Sequence, residues 1–157
     1  MIDGPRIRVY RPGDEVEAAR VAALCFDRFI RPFYSERGAR SFAAYIHPGE
    51  LARRQSIDCR TFVADLDGRI VGLIEIRGSG HISMLFVDPE FHHCGIAGRL
   101  FDRALRTALK LDPGLSEVTV FSAPGAVDVY RHWGFIPTGP ETEHDGIRFI
   151  PMKLPLL

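Results

Sequence analysis

The sequence predicts an α/β domain: a mixed, mostly antiparallel central sheet with one parallel strand pair at its middle and flanking helices. Three observations carry this. Thr61–Asp65, the Asp67-Gly68 hairpin signal, Ile70–Ile76, the Gly78-Ser79-Gly80 turn and His81–Val87 read as a three-stranded antiparallel meander. A glycine-containing turn then opens an amphipathic helix, and that helix leads into another apolar strand. Strand, helix, strand in this order implies a parallel pair with a crossover helix. The third is composition. With 157 residues, 46% hydrophobic and 25% charged, the chain suits a single domain over 1–157 with an ordinary buried core.

The elements follow in order. Ile7-Arg8-Val9-Tyr10 alternates and predicts a first strand. After Gly13, Asp14 is the expected N-cap of a helix with Val16, Ala19, Ala23, Phe26 and Ile30 on one face, ended by Pro32. Ser41–Ile46 and Glu50–Gln55 read as short helical pieces broken by Pro48-Gly49. Beyond the meander, Ile96, Leu100, Ala104, Ala108 and Leu111 line a longer helix, stopped by Asp112-Pro113-Gly114. Val118–Phe121 is a buried strand, and Ala126–Trp133 a short helix closed by Gly134. Phe135-Ile136 and Ile147–Met152 form a final hairpin, with Glu141–Gly146 in its turn region and Asp145-Gly146 near the bend.

Charge narrows the partners. Lys plus Arg equals Asp plus Glu, at 20 each. A protein held along nucleic acid by many phosphates carries a basic excess, so nucleic acid is not an expected partner. A small anionic ligand needs only a local site. Cys25, Cys59 and Cys94 form no CxxC pair and no disulfide framework. The start at Met1–Arg6 has no apolar leader core, and no run approaches a membrane span. A soluble cytoplasmic protein without a membrane partner is the expectation.

The turn Phe91-His92-His93-Cys94-Gly95-Ile96-Ala97-Gly98-Arg99 raises the functional question. A first helical turn exposes unpaired N–H groups at the positive end of the helix dipole, and glycine lets an anion approach the backbone. His93 through Gly98 could aim amides inward, with Arg99 and Arg103 adding charge. Neither GxxxxGK[ST] nor GxGxxG is present, which removes the Walker and dinucleotide readings. Gly95-Ile96-Ala97-Gly98 fits a GxxG loop of the KH type only weakly, because a strand precedes it and the net charge is nil. His92-His93-Cys94, with His81, has zinc-ligand residue types, but adjacent ligands rarely converge on one ion, so no metal is expected. Cys94 at a helix start is a conceivable thiolate nucleophile, with no base evident beyond its neighbouring histidines.

Val87-Asp88-Pro89 through Leu100 resembles the acyl-CoA loop of the GNAT N-acetyltransferase superfamily, [RQ]xxGx[GA] after a V-x-P strand end. Gly95 and Ala97 match, and His92 stands in the Arg/Gln place. Ala126-Val127-Asp128-Val129-Tyr130-Arg131-His132-Trp133-Gly134-Phe135 is similar to the family's A-x-x-[FV]-Y-x-x-x-G-F helix. The resemblance covers nearly the whole chain. It implies a splayed strand pair and acetyl-CoA as acetyl donor. It places the pyrophosphate on His92, His93, Cys94, Gly95, Ile96, Ala97, Gly98 and Arg99. It places the pantetheine arm on the backbone of Leu85, Phe86 and Val87. The family's Asn at the end of the next strand is replaced here by Phe121-Ser122-Ala123-Pro124, with Ser122 as the substitute partner. Tyr130 matches the tyrosine that protonates the departing thiolate.

The acceptor amine has to be neutral to attack, so a base is expected. Glu75 and His81 are the candidates. Glu75 alternates with Leu73 and Val71, and pairing with Arg77 or a solvent face is its bland alternative. His81 has strand-end capping as its own. Phe29, Phe33 and Tyr34 follow the first helix, where the family builds its acceptor wall; core packing is the competing role. The expected reaction is direct transfer of acetyl to a primary amine of a small molecule or peptide. The alternative is a non-catalytic acyl-CoA-binding module. The last hairpin is a candidate homodimer surface, as in some relatives.

Overall fold

The computed structural model describes residues 4–78 and 80–156. Ser79, the centre of one expected turn, and Met1–Asp3, in the stretch read for a leader, lie outside the described residues. The strands are β1 (Arg6–Val9), β2 (Cys59–Leu66), β3 (Arg69–Arg77), β4 (His81–Val87), β5 (Glu117–Ser122), β6 (Ile136–Pro137), β7 (Thr142–His144) and β8 (Ile147–Pro155). The helices are α1 (Glu15–Cys25), α2 (Glu36–Tyr45), α3 (Pro48–Gln55), α4 (Ile96–Leu111) and α5 (Val127–His132). The sheet runs β1-β2-β3-β4-β5-β8-β6, with β7 paired to β8 beside it. Every pairing is antiparallel except β4 with β5.

The sheet separates two cores. On one face Phe62, Ile74, Ile82 and Val120 pack under Leu100 and Ala104 of α4 and under Tyr130 and Phe135. On the other, Val63, Leu73 and Met84 meet Val21 and Ala22 of α1 and Leu51 of α3. A fully buried side chain such as Leu100 or Leu73 contributes roughly 1.5–3 kcal/mol, so each face holds its helices independently.

Two bulges set which side chains reach which face. Ala64 pairs with Gly72 and Asp65 with Ile70, leaving Val71 as an extra residue on β3. Glu75 pairs with Met84 and Ile76 with Ile82, leaving Ser83 extra on β4. A bulge inverts the alternation beyond it. Glu75 therefore shares a face with Leu73 but not with Val71, which joins the opposite core.

Several local expectations are corrected. Asp14 makes no side-chain cap to α1; its carboxylate takes the Arg8 guanidinium at 2.8 and 3.0 Å and the Arg11 amide at 2.8 Å. The buried stripe of α1 is Ala18, Val21, Ala22 and Cys25, while Val16 is exposed. Apolar residues occupy almost every side of this helix, so spacing alone does not choose a face. Pro32 does not end the helix directly. A π-helical turn over Phe26–Ile30 ends it first, and Pro32 then starts a single 3₁₀ turn, Arg31–Phe33, where its missing N–H is harmless. Leu111 of α4 is exposed. The expected turn region Glu141–Gly146 contains strand β7, so the bend itself is only Asp145-Gly146, both at positive φ.

The β7–β8 bend is docked. The Ser35 amide donates to the Gly146 carbonyl at 2.7 Å, and Tyr34 bridges to Ile147. Ser35 also caps α2, its hydroxyl accepting the Gly38 amide at 3.1 Å. A side chain on Gly146 would run into the Ser35 hydroxyl.

Candidate active site

β4 and β5 are registered over only two pairs, His81 with Thr119 and Ile82 with Val120. Beyond these the strands part. A cavity of about 440 Å³ occupies the opening. Leu85 and Phe86 line it from β4, Val120 and Phe121 from β5, and Ala126 and Tyr130 from the α5 side. Tyr34 and Phe42 line it from the α1–α2 side, and Ile147 and Phe149 from β8. Splayed strands leave backbone N–H and C=O groups that no neighbouring strand satisfies, a match for an amide-bearing ligand.

The turn after β4 leads into the uncapped amino end of α4. Asp88 is buried and accepts the Glu90 amide at 3.0 Å, with Arg69 at 3.4 Å and Arg20 at 3.7 Å beside it. Those contacts fix the start of the turn. His93 has φ +64° and Gly95 φ +77°. No side chain caps α4, and its first turn holds no acidic residue. A Cβ on Gly95 would meet nothing within 4 Å, so the approach to the amides is open. The residues present fit the diphosphate of a coenzyme A-type donor.

The side chains around this turn behave differently from the expectation. His92 Nε2 lies 2.7 Å from the Val87 carbonyl, and its ring stacks on Phe29 at 5.3 Å. A carbonyl only accepts, so Nε2 carries the proton. The imidazole thus braces the strand–turn junction. The Cys25 thiol donates to the same carbonyl at 3.2 Å. Cys94 is exposed, its thiol 3.5 Å from the His92 carbonyl. Arg103 donates to the Ile7 carbonyl at 3.3 Å and covers Phe62. Arg99 reaches Gly4, also on the β1 side of α4. Neither arginine is on the α5 side, where Gly98 meets Trp133. Arg103 is thus engaged on the β1 side of α4, away from Trp133.

Ser122 is buried, and its hydroxyl donates to the Ala123 carbonyl at 2.8 Å, outside the cavity lining. β5 alternates there, with Thr119 and Phe121 on the opposite face. Phe29 covers His92 rather than the cavity, and Phe33 lies under Arg148. Of the three aromatics expected in an acceptor wall, only Tyr34 lines the cavity. Burial pushes its phenol up.

Glu75 is wholly buried behind this wall. Its carboxylate takes the Tyr45 hydroxyl at 2.5 Å and the Ser83 hydroxyl at 2.7 Å on one oxygen. Arg54 reaches the other at 3.1 and 3.3 Å, and Gln55 at 3.4 Å. Every lone-pair direction is engaged, so the expectation of Glu75 as a free base is corrected: it is a buried anchor. Tyr45 and Ser83 carry its contacts to the cavity surface. Sequence reasoning missed Tyr45, Arg54 and Phe42. The signal within reach was Glu75 itself, a carboxylate in an apolar strand that requires a buried cation.

His81 lines the cavity, with Nδ1 2.8 Å from the Thr119 hydroxyl and its ring against Phe121 at 4.7 Å. Burial, then the nearby Arg77 charge, lowers its pKa below the ordinary histidine value. Tyr130 packs edge-on to Phe135 at 5.3 Å and to Trp133 at 5.7 Å, so it is a core aromatic. Its ring also lines the cavity, and its hydroxyl has no hydrogen-bond partner among the described residues. Burial raises its pKa far above the usual phenol range.

The sequence model of the acetyltransferase (GNAT) domain matches residues 30–156. The chain belongs to this family. It is an acetyltransferase, and solved structures share its fold. A GCN5-related N-acetyltransferase from Rhodopseudomonas palustris superposes with a TM-score of 0.82 at 24% identity, over 99% of this chain and 98% of that one. The PaiA N-acetyltransferase from Thermoplasma acidophilum, solved in complex with coenzyme A, gives 0.80 at 22% identity, over 98% and 100%. The ribosomal-protein-S18-alanine N-acetyltransferase from Escherichia coli gives 0.68 at 16%, over 96% and 92%. No curated protein sequence matches the chain. Among the described residues, this GNAT protein has no group of three or more His, Cys, Asp or Glu placed to hold a metal, and no helix long and apolar enough to cross a membrane.

Proposed function

We propose that this GNAT acetyltransferase transfers an acetyl group from acetyl-CoA to a primary amine of a small molecule or peptide by direct attack. The observation that carries the reading is the parting of β4 from β5 beside the uncapped, open amino end of α4. The amides of His93 through Gly98 hold the donor's diphosphate. The free backbone of Leu85 and Phe86 holds its pantetheine arm, and Val87, whose carbonyl already serves His92 and Cys25, completes that strand. When bound, the donor supplies an activated acetyl thioester.

The chain's own residues handle protons. His81 is the base. Assigning the ring proton to Nδ1, in its hydrogen bond with the Thr119 hydroxyl, leaves Nε2 a lone pair, and the lowered pKa keeps the ring neutral near pH 7. Nε2 takes the proton that the acceptor amine loses. Tyr130 is the acid. Its raised pKa keeps the phenol protonated, and its unpartnered hydroxyl donates to the leaving sulfur. Glu75 acts behind the surface by fixing Tyr45 and Ser83.

Calorimetric titration of the purified protein with acetyl-CoA, with ATP and NADPH as controls, tests the donor. Selective binding of acetyl-CoA supports the reading. No binding, or equal binding of all three, overturns it.

A further inference from the structure

The acceptor side of the cavity has an unusual charge balance. Among the described residues, no aspartate or glutamate lines it. Glu75, the carboxylate just behind the wall, is saturated by Arg54, Tyr45 and Ser83. Two arginines and two histidines do line it. Arg148 is neutralised by Glu141, which accepts from it at 2.9 and 3.1 Å. His144 stands 3.1 Å from Asp145. Arg77 differs. Its only side-chain hydrogen bond among the described residues is to the Tyr45 hydroxyl, at 3.1 Å, and no carboxylate pairs with it there. The guanidinium is held at the edge of the Tyr45 ring, 5.8 Å from its centre. It is a solvent-exposed cation at the cavity wall, positioned by Tyr45 and without a carboxylate partner among the described residues.

Position makes this informative. Arg77 and His81 are direct cross-strand partners on β3 and β4. Opposed side chains start about 5 Å apart, so a ligand touching both spans only a few bonds. A carboxylate fits the planar fork of an arginine, often through two hydrogen bonds. Tyr34, Phe42, Phe121 and Phe149 give the same wall a broad aromatic surface. A polyamine would find no anion here for its second ammonium.

We infer that Arg77 selects acceptors bearing a carboxylate next to the reacting amine, the chemistry of a free amino acid with an apolar side chain. The inference rests on the proposed acetyl transfer. It favours a small molecule over a peptide amino terminus, whose adjacent carbonyl is an uncharged amide. Arg77 is then a specificity-determining residue: the acceptor's carboxylate on Arg77 brings its amine toward His81.

The test compares acceptors that differ in one group. Acetyl-CoA affinity is measured first by calorimetry, which reads the donor half alone. Release of thiol is then followed with phenylalanine, phenylalanine methyl ester and phenethylamine, and with leucine against isopentylamine. The free acids are expected to have kcat/KM about tenfold or more above their partners. The ester, whose amine loses its proton more readily, controls for basicity. In Arg77→Gln the preference falls toward one through KM, while acetyl-CoA affinity holds; Arg77→Lys keeps part of it. A preference for the amines lacking the carboxylate, or one untouched by Arg77→Gln, overturns the inference. If no acceptor turns over, saturation-transfer NMR on the coenzyme A-loaded protein decides: signal from the free acid that Arg77→Gln removes sustains it, and no signal from the free acid overturns it. Absence of acetyl-CoA binding in the first titration instead overturns the donor reading.

Discussion

Arg54 and Glu75, 21 residues apart in the chain, meet at 3.1 Å in a space that water does not reach. Arg54 also lies flat over Tyr45, 3.6 Å from the ring centre, and donates to the Tyr45 carbonyl at 2.7 Å. One ion pair thereby ties α3, the end of α2 and the middle of β3 behind the acceptor wall. A buried pair resists the loss of one member far more than its net worth suggests, because the survivor is stranded.

Glu75→Ala is accordingly expected to destabilise the protein by about 3–5 kcal/mol. In a domain of this size that is a melting temperature lower by roughly 10 °C, read by thermal denaturation. Replacing both partners with apolar residues should recover part of the loss. A single variant that melts like the wild type would show that the pair carries no stability.

His81 sets the pH response. Its folded pKa lies below the unfolded reference of about 6.5. Protonation therefore disables the base only when pH falls below 6.5, and kcat/KM should be flat through neutrality with an acidic limb under that value. The sign for stability is the same. The unfolded chain takes up the proton first, so His81 costs stability as pH falls from 6.5 toward its folded pKa. His81→Gln should lower kcat and erase the acidic limb; a limb that persists unchanged belongs to another group.

Tyr130→Phe keeps the ring against Trp133 and Phe135 and removes only the hydroxyl. The expected result is a kcat lower by about 10²–10⁴-fold, the ordinary span for a lost general acid, with acetyl-CoA affinity unchanged. Single-turnover kinetics beside calorimetry would separate the two. Normal turnover would return Tyr130 to a packing role alone.

Gly95→Glu tests the cradle. The Cβ of the new side chain meets nothing within 4 Å, so its start does not clash with the fold, although the positive φ adds strain of about 1 kcal/mol. Its carboxylate stands where the diphosphate is expected. Loss of acetyl-CoA binding with a melting temperature within a few degrees of wild type is the predicted outcome. Unchanged affinity would put the donor elsewhere.

The half proposed to hold the donor is the legible one because it is contiguous. Strand, turn, glycine and helix follow one another from His81 to Leu111, and each announces itself by a local pattern. The acceptor half is assembled from parts of α1–α2, β3, β5 and β8. No local spacing says that Phe42, Arg77 and Phe149 share a wall, or that Phe29 turns away to cover His92. The bulges at Val71 and Ser83 hid more, since each inverts an alternation that looked continuous in the sequence. Ser122 lies buried on the Val120 side of β5 with its hydroxyl on the Ala123 carbonyl, a local bond that the sequence does not announce. Asp14 was a fair N-cap by type, but Arg8 offered it two stronger hydrogen bonds.

The seam between Ser35 and Gly146 has a consequence for how such a catalyst diversifies. That seam joins two cavity-lining segments that add no residue to the core under α4. The core under α4 holds no residue of 34–45 or 142–149, so exchanging the positions there that do not bear on Phe86 or Glu75 leaves that half of the interior intact. The sheet works as a bulkhead: one compartment keeps a fixed fuel line, and the other can be refitted for new cargo.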